Sequence, residues 1–505
     1  MRNSYYLAID LGTSALKAVI YDSNFKAISK ATAETKTYCP KPTWAEQDPD
    51  EWWEDTVGVI KKALDDAKIS NDEIIGIGTC GQCHGPTLVD EECRPLHRCL
   101  VWPDLRSVVQ AEKIRKGGVE DPIMGPIVPY YTAAKLLWLK ENKPEILEAA
   151  HKFLLQKDFI RTKLTGDFVT DLRDAGATQM FDMRNMSWSK EILKITGIPE
   201  RILPGIHPSQ EIVGKVTAEA AQETGLKEGT PVIAGCGDGS LEPVMQALNL
   251  EGNMVVYLGT APILLAYTPK TIGAWMQHYL GGALSAEGGA LMKWFKEQFG
   301  NVEDEIAGRI GVSPYKLLDD EASKVEAGAG GLLFLPHMMG ERSFLGKVNP
   351  YAKGVLFGLS LGHSRAHVIR ALLEGVAFQL RTVWDSVREQ DPDIKVERIF
   401  TFGGGAKSKI WRRILADVIG LPVCLLNEEE TATLNLATLV SLGLGIHKDM
   451  KEIVEKLDLH VISEETPDPE NQKKYDRLYM LYKRLEQTLE THFSYTYSDL
   501  KDLYW

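Results

Sequence analysis

The chain has no long apolar run. None of its 505 residues lies in a stretch approaching the roughly 18 residues that a membrane-spanning helix needs, so no membrane partner is expected. It also lacks a basic surplus. Its 57 Lys and Arg face 70 Asp and Glu for a net charge of −13, whereas affinity for a nucleic-acid backbone needs a basic footprint. A general nucleic-acid binder is therefore not expected, although a local anion pocket fits that balance. No low-complexity linker interrupts the chain, and two halves that pack directly with a cleft between them follow from that. The N-terminus MRNSYYLAIDLG enters a strand without a signal-peptide pattern, which points to a cytoplasmic protein.

Cysteine is sparse, with seven in all. Cys80-Gly81-Gln82-Cys83-His84 matches the short haem-attachment pattern, and Cys93 and Cys99 follow. That attachment belongs to exported proteins, whereas this stretch follows the apolar run EIIGIGTC, which reads as a buried strand. The lopsided spacing of the four cysteines also departs from the short knuckles at both ends of a structural zinc site. Reduced cysteines in strands and loops are the reading.

What the chain does have is a repeated turn. Strand YYLAI breaks into Asp10-Leu11-Gly12-Thr13-Ser14 and leaves on LKAVIY, and NMVVY reaches Leu258-Gly259-Thr260-Ala261 and leaves on PILLAY. Each copy reads as a β-hairpin. Glycine lets another backbone or a ligand approach closely, and turn amides with hydroxyls can cradle an anion, so a phosphate held from two sides is expected. In each half β-type runs come first and helical runs later. The segment from Thr43 to Ala67 reads as a helix with Asp48 as N-cap, Pro49 at its first position and Glu51 closing a capping box. TAAKLLWLKEN, RAHVIRALLEGVAFQLRTVWDSV and KIWRRILADVI are further helices, VERIFTFGG is a strand, KEGTPVIAGCGDGSLEPVMQAL is strand, turn and helix, and KKYDRLYMLYKRLEQTLETHF docks on the body. Glu428-Glu429-Glu430 reads as a solvated charge run.

The paired Gly-Thr hairpins resemble the actin-like architecture of sugar kinases, heat-shock ATPases and actin. YYTAAKLLWLKEN (130–142) and GVLFGLSLGHSRAHVIRALLE (354–374) are similar to the two signatures of the FGGY family of carbohydrate kinases, and the likeness extends over DLGTS, GCGD, the second LGT and GGGAKSKIWRRILADV. The resemblance implies an α/β fold of two actin-like (ribonuclease H-like) domains, 1–247 and 248–505, with an interdomain cleft. It also implies ATP and Mg2+, a small-molecule sugar as partner and closure of the domains on the sugar to exclude water. Homodimers occur among such kinases, and no interface is marked in this sequence. WAEQDP, GQCHGPTLVDEECRPLHRCLVWPDLRS and GERSFLGKVNPYAKG look like the xylulokinase branch, which makes D-xylulose the leading acceptor and another pentulose, a polyol or a sugar acid the runner-up. Two departures bear on the acceptor: Gln82-Cys83-His84-Gly85 stands where the branch has Gln-Met-His-Gly, and Gly237-Asp238-Gly239 where it has Gly-Asp-Asn.

Carried over residue by residue, the resemblance makes Asp238 the base that accepts the acceptor hydroxyl's proton, with contact to sugar and metal, against the alternative of a plain helix N-cap. Asp10 becomes a magnesium-side carboxylate, against a turn-forming Asp. Gly12, Thr13 and Ser14 offer amides and hydroxyls to the terminal phosphates, and Lys17 neutralises charge unless it is an ordinary strand lysine. Gly259 and Thr260 form the opposing phosphate turn, and Gly404 and Gly405, after Gly403, pack against adenosine. Lys409 lines the adenine pocket in relatives or is a solvated helix lysine. Gln82, Cys83 and His84 face the sugar hydroxyls, while Trp102 and Arg106 of Trp-x-Asp-x-Arg either stack on and bond the sugar or form a core Trp and a surface ion pair. A different class, a nucleotide switch of the same superfold without an alcohol acceptor, predicts no dependence on Asp238.

Overall fold

The computed structural model describes residues 4–118, 127–238, 252–268, 279–283, 288–341, 349–428 and 430–504. Contacts divide the chain into two units, 1–248 with 430–458 and 249–429 with 459–505.

The first unit begins with the expected hairpin. β1 (Tyr5–Leu11) and β2 (Ala15–Tyr21) pair antiparallel, and β3 (Ala27–Glu34) continues the meander. Helix α1 (Pro49–Ala67) crosses over and buries Trp52, Val59, Ile60 and Ala63. Asp48 caps it by accepting from the Asp50 amide. Glu51 does not close the expected box, because its carboxylate accepts the Tyr38 hydroxyl at 2.6 Å. β4 (Ile74–Gly81) then runs parallel to β1. Helices α2 (Gln156–Thr165) and α3 (Leu172–Ala177) precede β5 (Ile212–Lys215), β6 (Pro231–Ile233) and β7 (Cys236–Gly237). The sheet order is β5-β6-β4-β1-β2-β3, with β7 also on β4. The helix expected after Asp238 lies outside the described residues, as do Gly239, Glu242, Glu429 and part of GERSFLGKVNPYAKG.

The second unit repeats this plan. β8 (Asn253–Tyr257), β9 (Ile263–Tyr267) and β10 (Tyr279–Ala283) form the meander. Helix α4 (Arg365–Gln390) leads to β11 (Arg398–Phe402), parallel to β8, and helix α5 (Lys409–Ile419) leads to β12 (Val423–Leu426). The chain then returns to the first unit as α6 (Thr431–Gly443), whose Leu436 and Val440 fill the space left by Gly76 and Gly78 of β4, and whose Thr433 hydroxyl bonds Tyr21 at 2.8 Å. Residues 430–458, assigned by sequence to the second domain, thus belong to the first unit. β13 (Val461–Glu465) completes a sheet of order β13-β12-β11-β8-β9-β10, strand for strand the plan of the first. Helix α7 (Pro469–Tyr504) docks here, with Tyr475, Tyr479 and Tyr482 around Phe378 at 5.4–6.1 Å between ring centres. No helix of the described residues is long and apolar enough to cross a membrane.

Candidate active site

Three parallel strands of the first unit end side by side. Cys236 of β7, Cys80 of β4 and Asp10 of β1 are register neighbours, followed by Gly237, Gly81 and Leu11. The Gln82 amide donates to Leu11 O and the Asp238 amide to Gly81 O, each at 2.9 Å. Asp10, the Gln82-to-His84 loop and Asp238 therefore stand in a row along the carboxyl edge of the sheet, the edge at which open α/β sheets bind ligands.

Asp10 is 6% exposed. Burial pushes its carboxyl above the ordinary value, with Lys17 pulling it down and Glu430 pushing it up. Among the described residues its Oδ1 takes a weak thiol donor, Cys80 Sγ at 3.5 Å, and Lys17 Nζ stands 3.9 Å from Oδ2. Such a carboxylate, with a threonine and a serine hydroxyl on the next turn, is the hard-oxygen donor set that suits a magnesium ion retaining several waters. Lys17 points chiefly to Glu430, at 2.8 Å, and Lys30 closes on the other oxygen of that carboxylate. Burial alone raises the Glu430 carboxyl, but the two lysines outweigh it and hold it below the ordinary value. Glu430 is therefore a paired member of the site edge and not part of a solvated run. Its position depends on the return of the chain through α6, for which no local sequence signal exists.

The Gly-Thr turn is held from three sides. Gly12 N donates to Ala15 O at 3.0 Å, Trp102 Nε1 to Thr13 Oγ1 at 2.8 Å, and Gln47 Nε2 to Thr13 O at 2.9 Å. Gln82 Nε2 in turn donates to Gln47 Oε1 at 2.6 Å. Trp102, read from sequence either as a sugar-stacking or as a core Trp, thus braces the Gly-Thr turn, and Gln82, expected at the sugar, braces it through Gln47. Gln47, within the WAEQDP segment, links the two loops. Trp102→Phe should lose about 1 kcal/mol of hydrogen bonding, read as a small drop in the unfolding midpoint together with a few-fold rise in the KM for the nucleotide.

Arg106 is built into the body. Its side chain is 1% exposed, bonds Asp104 at 2.7–2.9 Å and Glu46 at 2.7 Å, and stacks on Trp44 at 3.6 Å. The ion-pair alternative is the one the geometry favours, buried and not on the surface. His84, by contrast, faces the loop interior with a left-handed φ of 75°. Its Nδ1 lies 2.9 Å from Ala177 O, and its ring meets Tyr131 edge-on at 4.3 Å. Tyr131 lies in the first family-like signature, YYTAAKLLWLKEN. Cys83 donates its thiol to Asp174 Oδ1 at 3.4 Å, and burial first, then Asp174 and Asp238, push that thiol far up, so it stays protonated. All seven cysteines are free.

The remaining residues cluster in the second unit. Gly405 N donates to Leu258 O at 2.8 Å, which sets the Gly403-to-Gly405 turn beside Gly259 and Thr260. Gly259 O accepts from Gly289 N at 2.8 Å. Lys409 is exposed at the start of α5, where Ser408 caps the helix.

Family comparison decides the class of this arrangement. Residues 5–244 match the N-terminal domain and residues 257–439 the C-terminal domain of the FGGY family of carbohydrate kinases. The chain belongs to the FGGY family. A gluconokinase of Bacillus licheniformis is 30% identical over 505 residues, spanning 97% of both chains. A xylulose kinase of Bacillus subtilis (strain 168) is 28% identical over 500 residues, 95% of this chain and 96% of its own. Among solved structures, the gluconate kinase of Lactobacillus acidophilus superposes with a TM-score of 0.79 at 25% identity, over 97% of this chain and 99% of that one. This FGGY kinase is accordingly a phosphotransferase with the two-domain, actin-like α/β fold of that family.

Proposed function

We propose that the enzyme transfers the γ-phosphate of ATP to a terminal hydroxyl of a small keto-sugar, with D-xylulose, phosphorylated at its fifth-carbon hydroxyl, as the first candidate. The observation that carries this reading is the row Asp10, acceptor loop, Asp238 on one sheet edge. Phosphoryl transfer needs positioning, charge neutralisation and a base for the attacking hydroxyl. Asp238 supplies the base and turns the acceptor oxygen into the nucleophile. Gln82, Cys83 and His84 border the acceptor. Gly12, Thr13 and Ser14 receive the terminal phosphates, and Gly259, Thr260, Gly404 and Gly405 receive the rest of the nucleotide. Asp10 and Asp238 would hold Mg2+, which would supply neutralisation of the phosphate charge. Free cysteines throughout support a reducing, cytoplasmic setting.

A sugar acid is the second reading, favoured by the gluconokinase and gluconate kinase relatives. Coupled ADP release against D-xylulose, D-ribulose, other ketoses, polyols and gluconate tests both. Stimulation by D-xylulose supports the first reading, and stimulation by gluconate alone replaces it with the second. No stimulation by any of them removes the proposed acceptor class.

A further inference from the structure

Beneath the acceptor loop lies a buried cluster of five charges. Lys157, Asp158 and Arg161 come from α2, Asp171 caps α3, and Asp174 lies within α3. Lys157 Nζ is 2.5 Å from Asp158, 3.0 Å from Asp171 and 3.3 Å from Asp174, and Arg161 is 2.7 Å from Asp158. Their side chains are at most 3% exposed. Two cations are balanced by Asp158 and Asp171, so the third carboxylate is a surplus buried charge, which ordinarily lowers stability. Asp174 differs from the other two in what it faces. Oδ1 accepts the Cys83 thiol at 3.4 Å, Oδ2 faces Lys157 Nζ at 3.3 Å, and a methyl group at Gly237 would meet Oδ1 at 2.8 Å. The same helix presents Ala177 O to His84. Asp238 acts electrostatically on Cys83 as well.

Building on the proposed acceptor site, we propose that Asp174 is a positioning residue for the sugar: it fixes Cys83 and the floor beneath Gly237, and so tunes acceptor binding at a cost in stability. Perturbed buried acids concentrate at functional sites for this reason. Burial pushes the Asp174 carboxyl up to about 7, with Lys157 pulling it down and Asp171 and Asp158 pushing it further up. Between the ordinary 3.8 and about 7 the folded chain keeps a proton that the unfolded chain has released. The contribution of Asp174 to stability therefore falls as pH rises through that window.

Asp174→Asn preserves shape but offers a single oxygen. Lys157 takes it, which turns the amide N–H toward Cys83 and removes the thiol's nearer acceptor, leaving Gly81 O at 3.8 Å. The full-length variant is expected to raise the KM for the sugar about tenfold, with the KM for ATP unchanged. Its unfolding midpoint at pH 8 should equal or exceed wild type, whereas Asp158→Asn, which breaks the balanced pairs, should lower it. Cys83→Ala should reproduce the KM effect, and the double variant should be no worse than either. Peptide-resolved alkylation of Cys83, which needs no sugar, should be several-fold faster in Asp174→Asn. An unchanged alkylation rate, multiplying KM effects, or an Asp174→Asn chain that is destabilised or fails to fold overturns the inference. A wild type that phosphorylates no sugar instead overturns the acceptor reading, and the alkylation and unfolding results still decide the role of Asp174.

Discussion

Asp238→Asn should reduce sugar-dependent ADP release by about 10²- to 10⁴-fold, the range a positioned general base contributes. The amide keeps the size of the carboxylate and its place after Gly237, where the Asp238 backbone N–H is fixed to Gly81 O. It cannot accept a proton at neutral pH. The loss should fall on kcat, with the KM for sugar changing far less, because the acceptor loop is anchored independently through Cys83 to Asp174 and through His84 to Ala177. Stability should be almost unaffected. The measurement is steady-state ADP release against both substrates, with thermal unfolding as control. A variant retaining wild-type kcat would mean that another group takes the proton, and the nucleotide-switch reading, which needs no acceptor base, would regain ground.

The parts of this site legible in the sequence are those fixed by local backbone chemistry. A strand, a Gly-Thr turn and a second strand specify a hairpin wherever they occur, and both hairpins are present. Asp10 and Asp238 follow because each ends a short apolar strand, and parallel pairing to β4 brings those ends together. Side-chain destinations were less legible. Trp102, Arg106 and Gln82 have the donors a sugar needs, but those donors go to Thr13, to Asp104 and Glu46, and to Gln47. Residue type gives hydrogen-bonding capacity, and only packing gives the partner. Glu430 and the buried charge cluster were illegible for a related reason. The counter-ion of Glu430 is 413 residues away at Lys17, and a charge without a visible partner reads as solvent-exposed; in the cluster the pairs are local, Lys157 and Arg161 with Asp158, but their burial is set by packing. The boundary at 247 likewise presumed a contiguous chain, whereas α6 crosses back because the β4 glycines leave a groove for Leu436 and Val440.

Gly235→Ala should damage both fold and activity, through the turn that aims Asp238. Val232 pairs with Ile77, and Cys236 with Cys80. The chain leading to Asp238 therefore advances four residues while β4 advances three. The extra residue is a bulge, the device that re-aims a side chain at a sheet edge. Three of its backbone groups are engaged: Ala234 N bonds Glu211 O and Gly235 N bonds Ser209 O, both at 2.9 Å, and Ala234 O takes Arg161 Nη1 at 2.9 Å. Gly235 has a left-handed φ of 79°, and a Cβ there would lie 2.0 Å from Thr79 O, a backbone atom of the central strand. The left-handed conformation costs a residue with a Cβ about 1–2 kcal/mol, and forcing a methyl into packed backbone adds about 1–3 kcal/mol. A loss of about 2–5 kcal/mol in urea unfolding is expected from these terms. The residual folded enzyme should also be slower by about 10²-fold, because a misplacement of about 1 Å at the reacting centre has that effect. A variant that loses stability but keeps kcat, measured on the folded fraction at low temperature, would show that Asp238 is aimed by its own bond to Gly81 and not by the bulge.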